Sequence, residues 1–259
     1  MSKSNTKQRH LAGILSNGIG VSNQRLRVSG STILAPGGIP ITLRGVNQGT
    51  WGVNEEPDAA AIAASGANCV RTVFRWWGPY SVAGTDSRNA NAGDDYIDPA
   101  NLAQFLLEVD WLIAQGLWVI VAFDSNCGQN GLQDPDTVAF CDPAGAYPTD
   151  GHNFWSDLAV REFFKTAWKR LARELKSRHK IAFLEILPEP LDSRDPTWAD
   201  DVRDFYRDVI ASVRTVDKRT PFLIGPRDAY NVTLADEAFL PERSDVAYTG
   251  NLLTGRTTN

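Results

Sequence analysis

The segment Ala182-Phe-Leu-Glu-Ile-Leu-Pro-Glu-Pro-Leu191 is an apolar run that ends in an acidic residue between two prolines. Largely apolar runs of this length are typical of strands buried on both faces of a parallel sheet. We therefore predict a strand over Ala182–Glu189, with Glu189 at its carboxyl end. A carboxyl group held in such a place against apolar walls can act as a general acid. Alternatively, Glu189 only opens the next helix, because acids and proline favour helix starts.

Apolar, β-branched runs alternate with amphipathic stretches along the rest of the chain, which is typical of βαβ units and a parallel sheet. The other predicted strands are Thr42–Asn47, Cys69–Phe74, Trp118–Asp124, Pro221–Pro226 and Asp245–Leu252. The predicted helices are Pro57–Ala64, Pro99–Gln115, Ala159–Ser177, Ala199–Thr215 and Leu234–Leu240. Residues 25–43 predict a β-hairpin that turns at Pro36-Gly37-Gly38 and caps one end of the sheet.

Composition favours one folded domain. The 259 residues with 42% hydrophobic content are close to the roughly 250 that one α/β barrel needs, so we assign residues 25–259 to it and residues 1–24 to an N-terminal tail. The net charge of −5, with acids and bases mixed, argues against a nucleic-acid partner. No apolar run approaches the roughly 20 residues of a membrane span. The apolar run 11–15 is too short for a convincing signal peptide, so the localisation stays open.

The three cysteines are too few for a disulfide scaffold. Cys69 lies in a predicted strand and is expected to be a reduced core residue. Cys127 and Cys141 flank one long Gly/Asp-rich loop. They could form a disulfide in an oxidising compartment or remain unpaired, and the sequence leaves both alternatives open.

Polar side chains and indoles gather at the predicted carboxyl ends of the strands and in the loops that follow. In a parallel sheet these ends share one face, where such folds place their sites. Hydrogen-bonding groups interleaved with flat aromatic rings suit a carbohydrate. The predicted substrate-binding residues are Asn47, Trp51, Trp76, Trp77, Asp124, Asn126, Trp155, Tyr230, Tyr248 and Asn251. Trp111, Trp118 and Trp168 fall within predicted helices and strands, and we expect them in the core.

Several segments in order give the chain its resemblance to a known family: Leu43–Asn47, Gly66–Arg71, Gly116–Val121, Phe163–Trp168 and Leu184–Pro190. From about residue 25 onward the chain resembles glycoside hydrolase family 5, the cellulase-like retaining (β/α)8 barrels. The resemblance implies a TIM-type barrel, a β-glycan substrate and no cofactor. It also implies that Glu189 is the general acid/base and that Arg71 steadies the nucleophile.

The chain departs from the pattern of the family at the site. Pro188 stands where the family usually has the Asn before its acid/base, and Asp124 stands where a His usually ends the third strand. Residues 250–252 replace a His-x-Tyr. Retaining hydrolysis also needs a second carboxylate about 5–5.5 Å away, which the family takes from its seventh strand and which we do not find. Glu185 is expected to be a buried structural acid paired with Arg71 or Arg44.

Only about six of the eight βα units are predicted, and the first and sixth strands would then be open edges. We rank three explanations: a fragment of a longer product, self-association with a second copy, or N-terminal residues across the gap. We expect this chain alone to lack normal hydrolase activity.

Two other function classes compete with a β-glycan hydrolase. A catalytically inactive carbohydrate-binding protein of the same fold would keep Trp51, Trp76, Trp77 and Asn126 as a sugar-holding surface. A metal-dependent hydrolase would use residues such as Asp124 and His152, but three dispersed histidines argue against a metal site. Neither a Gly-rich phosphate loop nor a Gly-x-Ser-x-Gly motif occurs. A β-glycan substrate would favour an extracellular location.

Overall fold

The structure of the protein is a computed structural model, and it describes residues 25–48, 55–75, 79–80, 85–86, 97, 99–124, 158–188, 198–226, 240 and 242–249. The strands are β1 (Arg27–Ser29), β2 (Thr32–Ala35), β3 (Ile39–Pro40), β4 (Gly45–Asn47), β5 (Cys69–Arg75), β6 (Pro79–Tyr80), β7 (Thr85–Asp86), β8 (Trp118–Asp124), β9 (Ile181–Glu185), β10 (Phe222–Ile224) and β11 (Val246–Tyr248). The helices are α1 (Glu56–Ala64), α2 (Pro99–Ala114), α3 (Leu158–Leu175) and α4 (Trp198–Arg214).

Six strands form one parallel sheet in the order β11-β10-β9-β8-β5-β4. All five neighbouring pairs are parallel, which confirms the predicted α/β class, and the described residues contain all six of the predicted parallel strands in whole or in part. The β4–β5 pair is unusually close at Gly45, where a Cβ atom would lie 1.9 Å from the Cys69 carbonyl oxygen. Only glycine allows this approach without moving the backbone.

The N-terminal segment forms three antiparallel strands rather than the predicted two-stranded hairpin, in the order β1-β2-β3. The predicted turn at Pro36–Gly38 is present, with φ of +84° at Gly37 and +82° at Gly38. A second turn at Gly30, whose φ is +58°, reverses the chain one strand earlier. Gly30 tolerates this left-handed conformation, and the prediction missed it because it treated residues 25–35 as continuous.

The N-terminal sheet caps the start of the parallel strands, as predicted. Leu26 packs with Cys69, Trp118, Ala182 and Phe183 in one buried cluster. These four partners lie at the amino-terminal ends of β5, β8 and β9. Cys69 is free and buried, in agreement with the predicted reduced core cysteine. Burial raises the pKa of its thiol to about 11, so the thiol stays protonated at neutral pH.

The main core lies between the parallel sheet and helices α2, α3 and α4. Edge-to-face and tilted ring contacts link Phe74, Phe105, Phe123, Phe164 and Trp168. Such aromatic contacts add to the hydrophobic gain of burying large rings. Trp168 and Trp118 are buried and Trp111 is half-buried, which confirms that these tryptophans belong to the core rather than to a cleft.

The predicted strand Ala182–Glu189 ends earlier than expected, at Glu185. Residues Ile186 to Pro188 are buried but form a bend. The Ile186 carbonyl accepts a hydrogen bond from the Trp168 indole Nε1 at 2.8 Å, and Pro188 has no N–H to donate. These two features end the ladder. Glu189 itself lies outside the described residues, so its place at the carboxyl end of this strand stays a prediction.

Two further segments of the chain are described only in part. Pro79–Tyr80 and Thr85–Asp86 pair as a short antiparallel ribbon that was not among the predicted strands. Of the predicted helix Leu234–Leu240 only Leu240 is described, and it is not helical. The other residues of both segments lie outside the described part of the chain.

The described strands do not close into a barrel, because β4 and β11 are the outer strands of the sheet. All three residues of β4 are exposed, and Tyr248 of β11 is 43% exposed. Six consecutive parallel strands with helices packed on them are nonetheless the arrangement of the TIM-type fold. Self-association that covers these edges stays a prediction. None of the described helices is both long and apolar enough to cross a bilayer.

Candidate functional site

Three polar side chains from separate strands meet on the inner face of the sheet: Asn47 of β4, Arg71 of β5 and Glu185 of β9. Arg71 donates from Nε to Glu185 Oε2 at 2.5 Å and from Nη2 to Glu185 Oε1 at 2.8 Å. Its remaining Nη1 donates to Asn47 Oδ1 at 2.9 Å. The guanidinium group therefore connects an edge strand with the centre of the sheet.

Alternation along the strands explains why these side chains share a face. Cys69 and Phe183 belong to the inner cluster beneath the N-terminal sheet. Arg71 and Glu185 follow them by two residues on β5 and β9, and side chains two apart on a strand point the same way. The inner face thus has an apolar layer at the amino-terminal ends of the strands and a charged layer towards their carboxyl ends.

The Arg71–Glu185 pair neutralises a carboxylate that water scarcely reaches. The Glu185 side chain is 1% exposed and that of Arg71 is 23% exposed. A buried carboxylate is tolerated when a bidentate guanidinium satisfies its oxygens. The sequence left Arg71 and Arg44 as alternative partners for Glu185, and the structure selects Arg71. Glu185 therefore acts as a structural acid that holds Arg71 in place.

Gln48, which follows Asn47 at the end of the first predicted strand, also belongs to this site, although it was not among the predicted substrate-binding residues. Its main-chain N–H donates to the Arg71 carbonyl oxygen at 2.8 Å. Its side chain is buried, and its Oε1 has no hydrogen-bond partner among the described residues. A buried acceptor of this kind is costly unless a donor reaches it. The signal in the sequence was its place directly after Asn47 at the end of the first predicted strand.

Two hydrogen bonds from helices α3 and α4 hold the segments that follow β9 and β10. Trp168 of α3 binds the Ile186 carbonyl, and the Tyr206 hydroxyl of α4 donates to the Gly225 carbonyl at 2.7 Å. Burial raises the pKa of Tyr206, its hydrogen bond to Gly225 acts in the opposite direction, and the charge of Glu185 raises it further. Tyr206 therefore remains a neutral donor.

Replacing Trp168 with phenylalanine is expected to destabilise the segment that leads to Glu189. The change keeps most of the ring volume but leaves the buried Ile186 carbonyl without its donor, which costs about 1–3 kcal/mol. Urea unfolding measures the loss. The half-buried Trp111 of α2 offers a matched control, and Trp111→Phe is expected to lose less. Equal losses in the two variants would contradict a specific role for the indole N–H.

The structure places four of the predicted site residues. It brings Asn47 and Arg71 together. Asp124 is the last residue of β8, opposite Arg75 in the ladder, and its side chain is outside the described set. Tyr248 lies on the far edge of the sheet, where its hydroxyl accepts from the Leu240 N–H at 3.0 Å and donates to the Leu240 carbonyl at 3.3 Å.

The remaining predictions stay untested because their residues lie outside the described part of the chain. They are Trp51, Trp76, Trp77, Asn126, Trp155, Glu189, Tyr230 and Asn251. The same holds for the proposed pairing of Cys127 with Cys141. Within the residues that are described, no cluster of three or more His, Cys, Asp or Glu side chains could hold a metal ion.

Solved structures of three bacterial proteins resemble this fold. Endoglucanase Cel5A of Thermotoga maritima is 16% identical with a TM-score of 0.58, and the match covers 79% of this chain and 58% of the endoglucanase chain. The cellulose synthase subunit Z of Clostridioides difficile is 16% identical with a TM-score of 0.59, and the match covers 81% of this chain and 61% of the subunit. The catalytic domain of endoglucanase Cel5A of Thermobifida fusca is 17% identical with a TM-score of 0.56, and the match covers 87% of this chain and 64% of that domain.

At these identities the structural likeness shows the fold alone, and this chain spans less than two thirds of each of the three structures. Comparison with curated protein sequences gave no match. The sequence profile described as cellulase, glycosyl hydrolase family 5, matches residues 34–249. That match covers most of the chain and includes every strand of the parallel sheet. The chain therefore belongs to the cellulase family, glycosyl hydrolase family 5.

Proposed function

We propose that the protein hydrolyses β-linked glycosidic bonds in a polysaccharide or oligosaccharide by a retaining double displacement, with Glu189 as general acid/base. The observation that carries the proposal is the Asn47–Arg71–Glu185 network in a chain of glycosyl hydrolase family 5. It places an oriented guanidinium group and a polar side chain on the inner face of the sheet, towards the carboxyl ends of the strands. Sites of this fold class lie at that end.

In the proposed reaction Glu189 donates its proton to the bridging oxygen while a second carboxylate attacks the anomeric carbon. The glycosidic bond breaks, the leaving sugar departs as an alcohol and a glycosyl-enzyme ester forms. Glu189, now a carboxylate, takes a proton from water, which hydrolyses the ester and regenerates the nucleophile. The nucleophile is not assigned among the described residues. Arg71 is proposed to orient that carboxylate by charge, while Glu185 fixes Arg71.

The proposed substrate is a β-1,4-linked glucan or mannan. Solved structures of the Thermotoga maritima relative include complexes with cellobiose and with mannotriose, and one structure of the Thermobifida fusca relative is a complex with cellotetraose. The buried Oε1 of Gln48, without a donor among the described residues, would accept a hydrogen bond from a sugar hydroxyl. The predicted tryptophans Trp51, Trp76, Trp77 and Trp155 would pack on the sugar rings.

A sugar-binding protein without turnover is the second candidate. Two positions favour it, because Pro188 and Asp124 stand where the family usually has the Asn and the His of its site. Such a protein would hold a glycan through its aromatic and amide side chains and would leave it intact. The two candidates therefore differ in cleavage and agree in binding.

Incubation with cellohexaose and mannohexaose separates the two functions. Hydrolysis is expected to release shorter oligosaccharides, and proton NMR of the fresh products is expected to show the β-anomer first, because double displacement retains configuration. Calorimetric titration with the same oligosaccharides reports binding. Saturable binding without products would favour the second candidate, and first appearance of the α-anomer would overturn the retaining mechanism.

A further inference from the structure

A cavity of about 460 Å³ lies between the N-terminal sheet and the loop before β10. Its lining includes Arg25, Arg27 and Arg219 together with the turn Pro36–Gly38. No carboxylate is among the described residues that line it. Three arginines from segments nearly 200 residues apart thus line one concave space, in a chain whose overall charge is negative.

The position of Arg25 locates this cavity in the fold. Its Nη1 donates to the Thr220 hydroxyl and its Nη2 to the Lys176 carbonyl. Thr220 precedes β10 and Lys176 precedes β9, so both lie at the amino-terminal ends of parallel strands. The candidate active site is at the carboxyl ends of the same strands. The arginine-lined cavity is therefore a separate feature on the opposite end of the sheet.

The electrostatics of the cavity favour an anion. Arg25 is 7% exposed, and its burial lowers its pKa, with Asp217 raising it and Arg219 and Arg214 lowering it further. The carboxylate of Asp217 is already engaged, because it accepts hydrogen bonds from the main-chain N–H groups of Arg219 and Thr220 and from the Thr220 hydroxyl. An added anion would relieve the mutual repulsion of the arginines.

The turn Pro36–Gly38 lies beside Arg27 at one side of the cavity. Gly37 and Gly38 both have positive φ values, which glycine adopts without strain. A Cβ atom on Gly38 would lie 3.8 Å from the Arg27 Nη2, so the guanidinium group of Arg27 rests against the bare backbone of this turn. Arg27 and Arg219 are both exposed, so a ligand that enters from solvent can approach both side chains.

We propose that this cavity binds the phosphate group of a small phosphorylated molecule. Guanidinium groups recognise tetrahedral oxyanions through paired, charge-assisted hydrogen bonds. Two exposed arginines, together with the positive charge of the buried Arg25, suit a dianion with several oxygens better than a single carboxylate. The volume exceeds that of a phosphate ion alone and leaves room for an organic body such as a sugar. The ligand would bind at the opposite end of the sheet from the proposed site of hydrolysis.

Calorimetric titration at fixed ionic strength tests the proposal, with glucose 6-phosphate, inorganic phosphate and acetate as probes. Glucose 6-phosphate and phosphate are expected to bind saturably at one site per chain, and acetate at least tenfold more weakly. Each of Arg27→Gln and Arg219→Gln is expected to raise the Kd for phosphate roughly tenfold or more, since a hydrogen bond to a charged group contributes on this scale.

Arg207→Gln is the matched control, because Arg207 is an exposed arginine of α4 that pairs with Glu242 away from the cavity. It is expected to leave phosphate binding unchanged. Circular dichroism confirms that each variant is folded, and Arg27→Lys, which keeps the charge but not the paired donors, is expected to recover only part of the affinity. Absence of saturable phosphate binding, or equal weakening by Arg207→Gln, would overturn the proposal.

Discussion

Replacing Arg71 with methionine is expected to lower the free energy of unfolding by about 3 kcal/mol or more. The substitution leaves the Glu185 carboxylate, 1% exposed, without its bidentate partner, and it also removes the donor to Asn47. A buried charge that loses its partner bears the full cost of desolvation. Urea unfolding followed by tryptophan fluorescence measures the difference.

The pair Arg178–Asp110 provides a matched control. It has the same bidentate geometry, with distances of 2.7 and 2.8 Å, and the exposed fraction of Arg178, 19%, is close to the 23% of Arg71. The carboxylates differ, because Asp110 is 50% exposed. Arg178→Met is therefore expected to cost less than about 1 kcal/mol.

A double variant separates the buried charge from the lost packing. Arg71→Met combined with Glu185→Leu removes both charges and fills the space with apolar atoms. It is expected to recover most of the stability lost by Arg71→Met, because apolar replacement of a buried pair is often close to neutral. If the double variant were less stable than Arg71→Met alone, the carboxylate of Glu185 would not be the source of the loss.

Replacing Glu189 with glutamine is expected to lower the turnover of a β-glycan oligosaccharide by about 10² to 10⁴ fold, the usual contribution of general acid/base catalysis. Glutamine has nearly the same shape but cannot donate the proton that the leaving sugar needs. The measurement is the initial rate of release of reducing ends, in the form of the protein that shows hydrolysis. Glu242→Gln, on an exposed acid paired with Arg207, serves as control and is expected to keep the parent rate.

The leaving group gives a second readout for Glu189. Dinitrophenolate leaves without protonation, so its burst of release from dinitrophenyl cellobioside is expected to fall far less than hydrolysis of the oligosaccharide. A merely structural role would lower both reactions equally. An equal fall in both, or an unchanged oligosaccharide rate, would show that Glu189 is not the proton donor.

Local patterns were sufficient to predict most of the fold. The strand Trp118–Asp124 was predicted to the residue, and the helices over 99–115, 159–177 and 199–215 to within two residues, because apolar spacing reports which face is buried. The end of β9 was wrong by four residues. The Trp168 indole that binds the Ile186 carbonyl comes from a different helix, and no local spacing indicates it.

Periodicity and ordered motifs are properties of neighbouring residues, and they were enough to predict the parallel α/β class, the approximate positions of the parallel strands and the resemblance to a glycoside hydrolase family. That Arg71 rather than Arg44 meets Glu185 became evident only in the folded chain. Folding also brought Arg25, Arg27 and Arg219 around one cavity. Both outcomes depend on strand register and on contacts between segments distant in the chain, and the periodicity of a single segment carries no information about either.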